Sequence, residues 1–262
     1  MKMRTCGSLR LVVVGAFSAL FAAASVRAET YTWIGGAGYW KDGSHWQSPD
    51  MSTGTAPRES DAAVIPSSNA NFTVTVDEPF TVGSLEIGAE DDAPGTVTLN
   101  VMHLGTNVVK GSARLYKRGK MTHNSNEKVL SYKLNLEVGG DMTLDASSEI
   151  NVDGKGYGGS ARTGNWGGSY GGYSYGGSIT KIYGSIREPV DLGTCGKNTG
   201  DRGGGAVYLD VTGTLTVQSG STISACSNAS APAGSGGSVL LKVGTLAGAG
   251  TITASSGRNT SS

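Results

Sequence analysis

The 262 residues include only 7 prolines, 3 cysteines and 3 histidines, and charged side chains make up 16% of the chain. Each scarcity excludes something. Glycine is abundant at 42 residues, but without a three-residue period and with so few prolines it does not spell collagen. Lysine and arginine number 21 against 21 aspartates and glutamates, so the net positive charge of a general nucleic-acid binder is missing. His45, His103 and His123 show no metal-ligand spacing, and two distant cysteines make no zinc site, so neither metal nor cofactor is expected. Long apolar runs are also absent except for Leu11 to Ala24, and no extended helical period follows it.

That one run reads as an address. Lys2, Arg4 and Arg10 precede it, and Val26-Arg27-Ala28 places small residues where a signal peptidase reads. Residues 1–28 are therefore expected to be a signal peptide, too short in its apolar part for a membrane span. The mature chain then starts near Glu29 and is expected to be secreted or at a cell surface. Cys6 leaves with the signal, so Cys195 and Cys226 remain. Export permits a disulfide between them; the alternative is two separate thiols, since two cysteines give no framework to read.

What the chain does have is a repeat. Leu134-x-Leu136-x-Val138 matches Val207-x-Leu209-x-Val211 at an offset of 73, and Met142-x-Leu144 and Ile150-x-Val152 match Leu215-x-Val217 and Ile223-x-Ala225 at the same offset. A third copy runs Val239-x-Leu241-x-Val243, Leu246 and Ile252-x-Ala254. Every element alternates with period two, so each copy reads as three short strands, each with one apolar face. Such a unit cannot bury that face alone, and stacking on its neighbours makes a continuous core. The expected fold is all-β, a right-handed parallel β-helix of three-strand coils over residues 67–262. Phe72-x-Val74-x-Val76, Leu85-x-Ile87 and Val97-x-Leu99-x-Val101 supply its first coils.

Ahead of them stands Trp33-Ile34-Gly35-Gly36-Ala37-Gly38-Tyr39-Trp40, then Trp46, then a segment from Pro57 to Asp61. This Trp-x-Gly-Gly-x-Gly-x-Trp opening resembles the first module of glycine-rich secreted bacterial β-helix surface proteins, which are similar in architecture to autotransporter passengers and repeat adhesins. The resemblance implies a structural or adhesive role and no particular chemistry. Residues 29–66 are expected to form an aromatic N-terminal cap. Trp33, Trp40 and Trp46 either close the first coil or offer ring faces for sugars to stack on.

Two stretches break the period. Residues 102–133 hold Lys110, Arg114, Lys117, Arg118, Lys120, Lys128 and Lys133 against Glu127 alone and read as a surface excursion. Lys117 and Arg118 are its expected glycan contacts, by long-range attraction to acidic sugars. Residues 154–206 carry 18 glycines in 53 positions and read as a second excursion, either a mobile loop or a compact flap. No catalytic residue is named. The rival reading is a polysaccharide lyase or glycosidase of the parallel β-helix class, with Glu137 and Asp210 at matched outward positions; a glycosidase needs two such carboxylates. Expected partners are polysaccharide or other surface proteins. After Ile252 comes the polar run Ser255 to Ser262, so the solenoid is expected to continue beyond this chain or to pair its last coil with another molecule.

Overall fold

The computed structural model describes residues 28–158, 170, 183–195, 200–228 and 234–256. Residues 1–27, nearly all of the expected signal peptide 1–28, lie outside these, as do 159–169, 171–182, 196–199, 229–233 and 257–262. The described residues are all-β with mostly parallel pairing, and they contain no α-helix. None of their helices is long and apolar enough to cross a membrane.

The strands come in triplets. The first is β1 (Thr30–Trp33), β2 (Gly38–Tyr39) and β3 (Trp46–Gln47), with a 3-10 turn at Gly43–His45 before β3. Next are β4 (Ala62–Ile65), β5 (Phe72–Val76) and β6 (Thr81–Val82), then β7 (Ser84–Ile87), β8 (Val97–Val101) and β9 (Asn107–Val109). They continue as β10 (Ala113–Leu115), β11 (Gly119–His123) and β12 (Leu134–Val138), followed by β13 (Met142–Leu144) and β14 (Glu149–Asn151). The last four are β15 (Ala206–Val217), β16 (Thr222–Ser224), β17 (Ser238–Gly248) and β18 (Thr251–Thr253). Among the named strands of the described residues only β1 and β3 pair antiparallel; their other ladders are parallel.

Three columns of register follow. Ala63, Leu85, Ala113, Met142, Leu215 and Leu246 succeed one another across β4, β7, β10, β13, β15 and β17. Val74, Leu99, Met121, Ile150, Ile223 and Ile252 do so across β5, β8, β11, β14, β16 and β18. Val82, Val109, Val138, Val211 and Val243 form the third column, across β6, β9, β12, β15 and β17. Sequence steps within this third column are short and similar, apart from the long one between Val138 and Val211 that takes in the glycine-rich stretch. The repeat alignment read from the sequence is thus the strand register itself, with Leu136 beside Leu209 and Leu209 beside Leu241.

Alternation does the packing. Each column's residues before the last layer are buried, forming one continuous apolar core. Burying one such side chain contributes about 1.5–3 kcal/mol. In the last layer Val239, Leu241 and Val243 are partly covered, while Leu246 and Ile252 remain 51% and 39% exposed. At the other end, Asp61 accepts the backbone N–H groups of Glu29 and Arg58, which fixes the segment from Pro57 into β4.

Residues 102–133 differ from the expectation of a surface excursion. They carry β9, β10 and β11, which pair in parallel with strands on both sides. Each of these strands is only three to five residues long. Arg114 points out between buried Ala113 and Leu115, and Lys120 between buried Gly119 and Met121, so the charges sit where the period allows them and hide its short runs.

Among the described residues of 154–206, no named strand occurs before β15 begins at Ala206. Its described ends are nonetheless packed: Leu192 and Cys195 are buried, as are Gly156, Gly193, Gly203, Gly204 and Gly205. Glycine serves close backbone approach here rather than mobility. A Cβ on Gly204 would stand 1.9 Å from the Ala225 carbonyl oxygen, and Gly204 N–H donates to the Ser235 carbonyl at 3.1 Å.

Candidate functional site

The corner between β10 and β11 consists of Tyr116, Lys117 and Arg118. It stacks on residues 88–96 of the preceding layer and residues 145–148 of the following one. Tyr116 N–H donates to the Ile87 carbonyl at 2.8 Å, Asp145 N–H to Leu115 at 2.9 Å and Arg118 N–H to Ser147 at 3.0 Å. Ser147 N–H in turn donates to Gly220 at 3.1 Å. Arg118, Ser147 and Gly220 all turn the chain through the left-handed region, with φ of 63°, 66° and 82°. Glycine does this freely; at Arg118 and Ser147 it costs about 1–3 kcal/mol each.

Two clefts flank this corner. The first, of 370 Å³, is lined by Glu90, Asp91, Asp92, Arg114, Tyr116, Asp145 and Gln218. The Arg114 guanidinium lies 4.3 Å from the Tyr116 ring centroid. It donates to Glu90 at 2.8 Å and to Asp145 at 3.0 Å, and Gln218 donates to the other Asp145 oxygen at 3.1 Å. The second cleft, of 320 Å³, is lined by Thr96, Arg118, Lys120, Ser147 and Glu149. Lys117 lines both clefts. It pairs with Asp92 at 2.6 Å, and Lys120 pairs with Glu149 at 2.6 Å.

Two of the carboxylates, Asp92 and Glu149, are held in their charged form. A hydrogen bond from Lys117, with its positive charge, holds the Asp92 carboxyl below its usual range. Burial would raise Glu149, but hydrogen bonds from Lys120 and Asn151 overcome it and hold that group low as well. Burial and the neighbouring Glu86 push the Tyr116 phenol up, keeping it neutral. The arrangement offers fixed acceptors, donors and an aromatic ring. Asp92 and Glu149 are held away from the proton a general acid must carry at neutral pH.

Of the residues expected to bind, Lys117 and Arg118 stand in this site. The three tryptophans do not. Trp33 and Trp40 are 2% exposed and Trp46 0%, which corrects the sugar-stacking alternative, because no ring face reaches solvent. Trp33 stacks on His45 at 4.6 Å and Trp40 on Phe80 at 4.2 Å, while Trp46 meets both other indoles edge-on. Trp33 Nε1 donates to the Gly36 carbonyl and Trp46 Nε1 to that of Trp40.

Cys195 and Cys226 are separate thiols rather than a disulfide. Cys226 Sγ accepts from Ser224 Oγ and Ser255 N–H. Glu137, Asp210 and Lys242 lie side by side on β12, β15 and β17; Tyr208 donates to Asp210 at 3.0 Å, and Lys242 lies 5.2 Å from the Tyr208 ring centroid. Among the described residues no three histidine, cysteine or carboxylate side chains gather as a metal site.

The sequence reading places Arg114 only as one charge of the basic stretch and does not pick out Tyr116, Asp145 or Gln218 as site residues. One signal was available. Asp145 and Gln218 stand at the same offset as the first two repeat copies, so extending that alignment by one position past Leu144 and Val217 brings them together. The chain matches no protein-family model, no curated protein and no solved structure.

Proposed function

We propose that the chain is a right-handed parallel β-helix, exported or held at a cell surface, with a non-catalytic structural or adhesive role in contact with glycans. The observation that carries this reading is the set of three continuous register columns, each apolar throughout and buried at every layer before the last. The short steps from one layer to the next suit three-strand coils, and parallel crossovers are right-handed in nearly all proteins. The basic and apolar start of the sequence supports export. The buried aromatic cluster of Trp33, Trp40 and Trp46 at β1–β3 suits a cap over one end. In the clefts the charged groups are engaged with one another, as in Arg114 with Glu90 and Asp145, which favours holding a ligand over acid–base work.

A glycosidase is the second reading because Glu137 and Asp210 are register neighbours, and adjacent strands lie about 4.8 Å apart, near the spacing of a retaining pair. Against it, Lys242 occupies the next place in that row, Tyr208 engages Asp210, and neither cleft is lined by Glu137 or Asp210. A glycan array on the secreted product, with reducing ends monitored in parallel, separates the two. Binding without new reducing ends is expected. Release of reducing ends that Glu137→Gln abolishes would replace this reading with the enzyme.

A further inference from the structure

The two clefts that share Lys117 carry opposite charge. The first sets Glu90, Asp91, Asp92 and Asp145 against Arg114 and Lys117, four carboxylates to two bases. The second sets Lys117, Arg118 and Lys120 against Glu149, three bases to one carboxylate. An anion alone meets repulsion in the first half and a cation alone in the second.

The groups differ in how freely they can act. The Asp145 side chain is 13% exposed and held by Arg114 and Gln218, so it belongs to the wall. Glu90 and Asp92, which line the same cleft, are 71% and 95% exposed. On the basic side, Arg118 donates to the Pro94 carbonyl at 2.8 Å. It takes a left-handed backbone position that the layer at Gly220 gives to glycine. Two strained non-glycine residues, Arg118 and Ser147, line the same cleft, the kind of strain that collects at ligand sites.

We propose that this bipolar cleft binds a glycan carrying both a free amine and an acidic group, the ammonium against Glu90 and Asp92 and the acidic group against Arg118 and Lys117. The proposal rests on the glycan-contacting reading above and names its ligand class. Binding exchanges one exposed ion pair for two. The ligand's ammonium takes the place of Lys117 on Asp92, and Lys117 turns to the ligand's anion. Exposed pairs of this kind contribute little, so the exchange meets little resistance, and it conserves charge.

The test is titration calorimetry on residues 29–262 at about 0.15 M salt, where charges further than about 8 Å apart are screened. Three probes are compared: N-deacetylated heparosan oligosaccharide, which alternates glucosamine with glucuronate; its fully N-acetylated parent, which is only anionic; and chitosan hexamer, which is only cationic. The zwitterionic probe should bind about threefold or more tighter than either other probe. Asp92→Asn should bring it level with the parent, and Arg118→Gln level with chitosan. Lys110→Gln, outside both clefts, should change none of these, and unaltered thermal melting of each variant shows that the fold is intact. Equal binding of the zwitterion and its N-acetylated parent, or a preference that survives Asp92→Asn, overturns the proposal while leaving the glycan reading in place. If no glycan on the array binds, the reading itself fails, and the proposal with it.

Discussion

Acidification from pH 7 to pH 5 should remove about 2 kcal/mol of stability through one imidazole, that of His123. The ring is 0% exposed. Its Nε2 accepts the Ala206 N–H at 3.1 Å, and its Nδ1 lies 2.7 Å from the Asn124 carbonyl oxygen. The neutral ring protonated at Nδ1 satisfies both contacts; a second proton on Nε2 would face the Ala206 N–H. Burial foremost, with Lys155 and Lys133 adding and the Asn124 carbonyl opposing, brings the pKa down to about 4. In the unfolded chain it returns to about 6.5. The folded value is the lower one, so the unfolded chain binds the proton first. Stability is therefore full above about pH 6.5, falls as pH drops toward 4 and then levels off. At about 1.36 kcal/mol per pH unit the full loss is about 3.4 kcal/mol, of which about 2 is gone by pH 5. Urea unfolding at pH 7.5, 6 and 5 reads the loss, and the His123 ring resonance reads the titration directly. Burial also holds His103 low and adds in the same direction, so the ring resonance makes the assignment. A stability unchanged between pH 7 and 5, or a His123 ring that titrates near 6.5, refutes the reasoning.

Leu209→Ala should cost about 2–5 kcal/mol, whereas Leu241→Ala, one layer on and only partly buried, should cost less than half as much in the same urea series. Gly204→Ala should be severely destabilising, because its Cβ would stand 1.9 Å from a backbone oxygen. Gly36→Ala, with open space around it, should shift the melting midpoint little. Thiol titration of the denatured mature chain without reductant should count both Cys195 and Cys226; a count near zero would show that they pair after all.

The strand register was legible because it depends on local alternation repeated along the chain. Leu134 to Val138 and Val207 to Val211 advertise their faces, and their common offset tells where each strand stacks, however much chain intervenes. Legibility failed at β9, β10 and β11 for a reason of length. In strands this short, one outward Arg114 or Lys120 is a large part of the element, and the surrounding charge reads as a loop. The tryptophans misled in a different way. Sequence shows that Trp33, Trp40 and Trp46 are near one another but not which way they face; His45 and Phe80 stack on the rings of Trp33 and Trp40, and the backbone carbonyls of Gly36 and Trp40 accept the indole N–H groups of Trp33 and Trp46.

The clefts lie at a corner rather than on a strand face, and the stacking explains why. On a face, register fixes each side chain beside its counterpart in the layers above and below, as in the row Glu86, Arg114, Thr143 and Thr216. Corners have no such constraint. The connection from β7 to β8 spans residues 88–96, while that from β10 to β11 needs only 116–118. The long turn carries Glu90, Asp91 and Asp92 out over the short one, whose Lys117 and Arg118 rise to meet it. A step in corner length between stacked layers thus creates a recess that uniform layers lack. It also gathers residues distant in sequence, from Glu90 to Gln218, around one Tyr116 ring. If that is how the site arises, shortening residues 89–94 to a turn as tight as 116–118 should erase the first cleft, leave the columns intact and abolish the preference for the zwitterionic glycan at unchanged cooperativity of unfolding. A preference retained in that variant would place the ligand's ammonium elsewhere on the molecule.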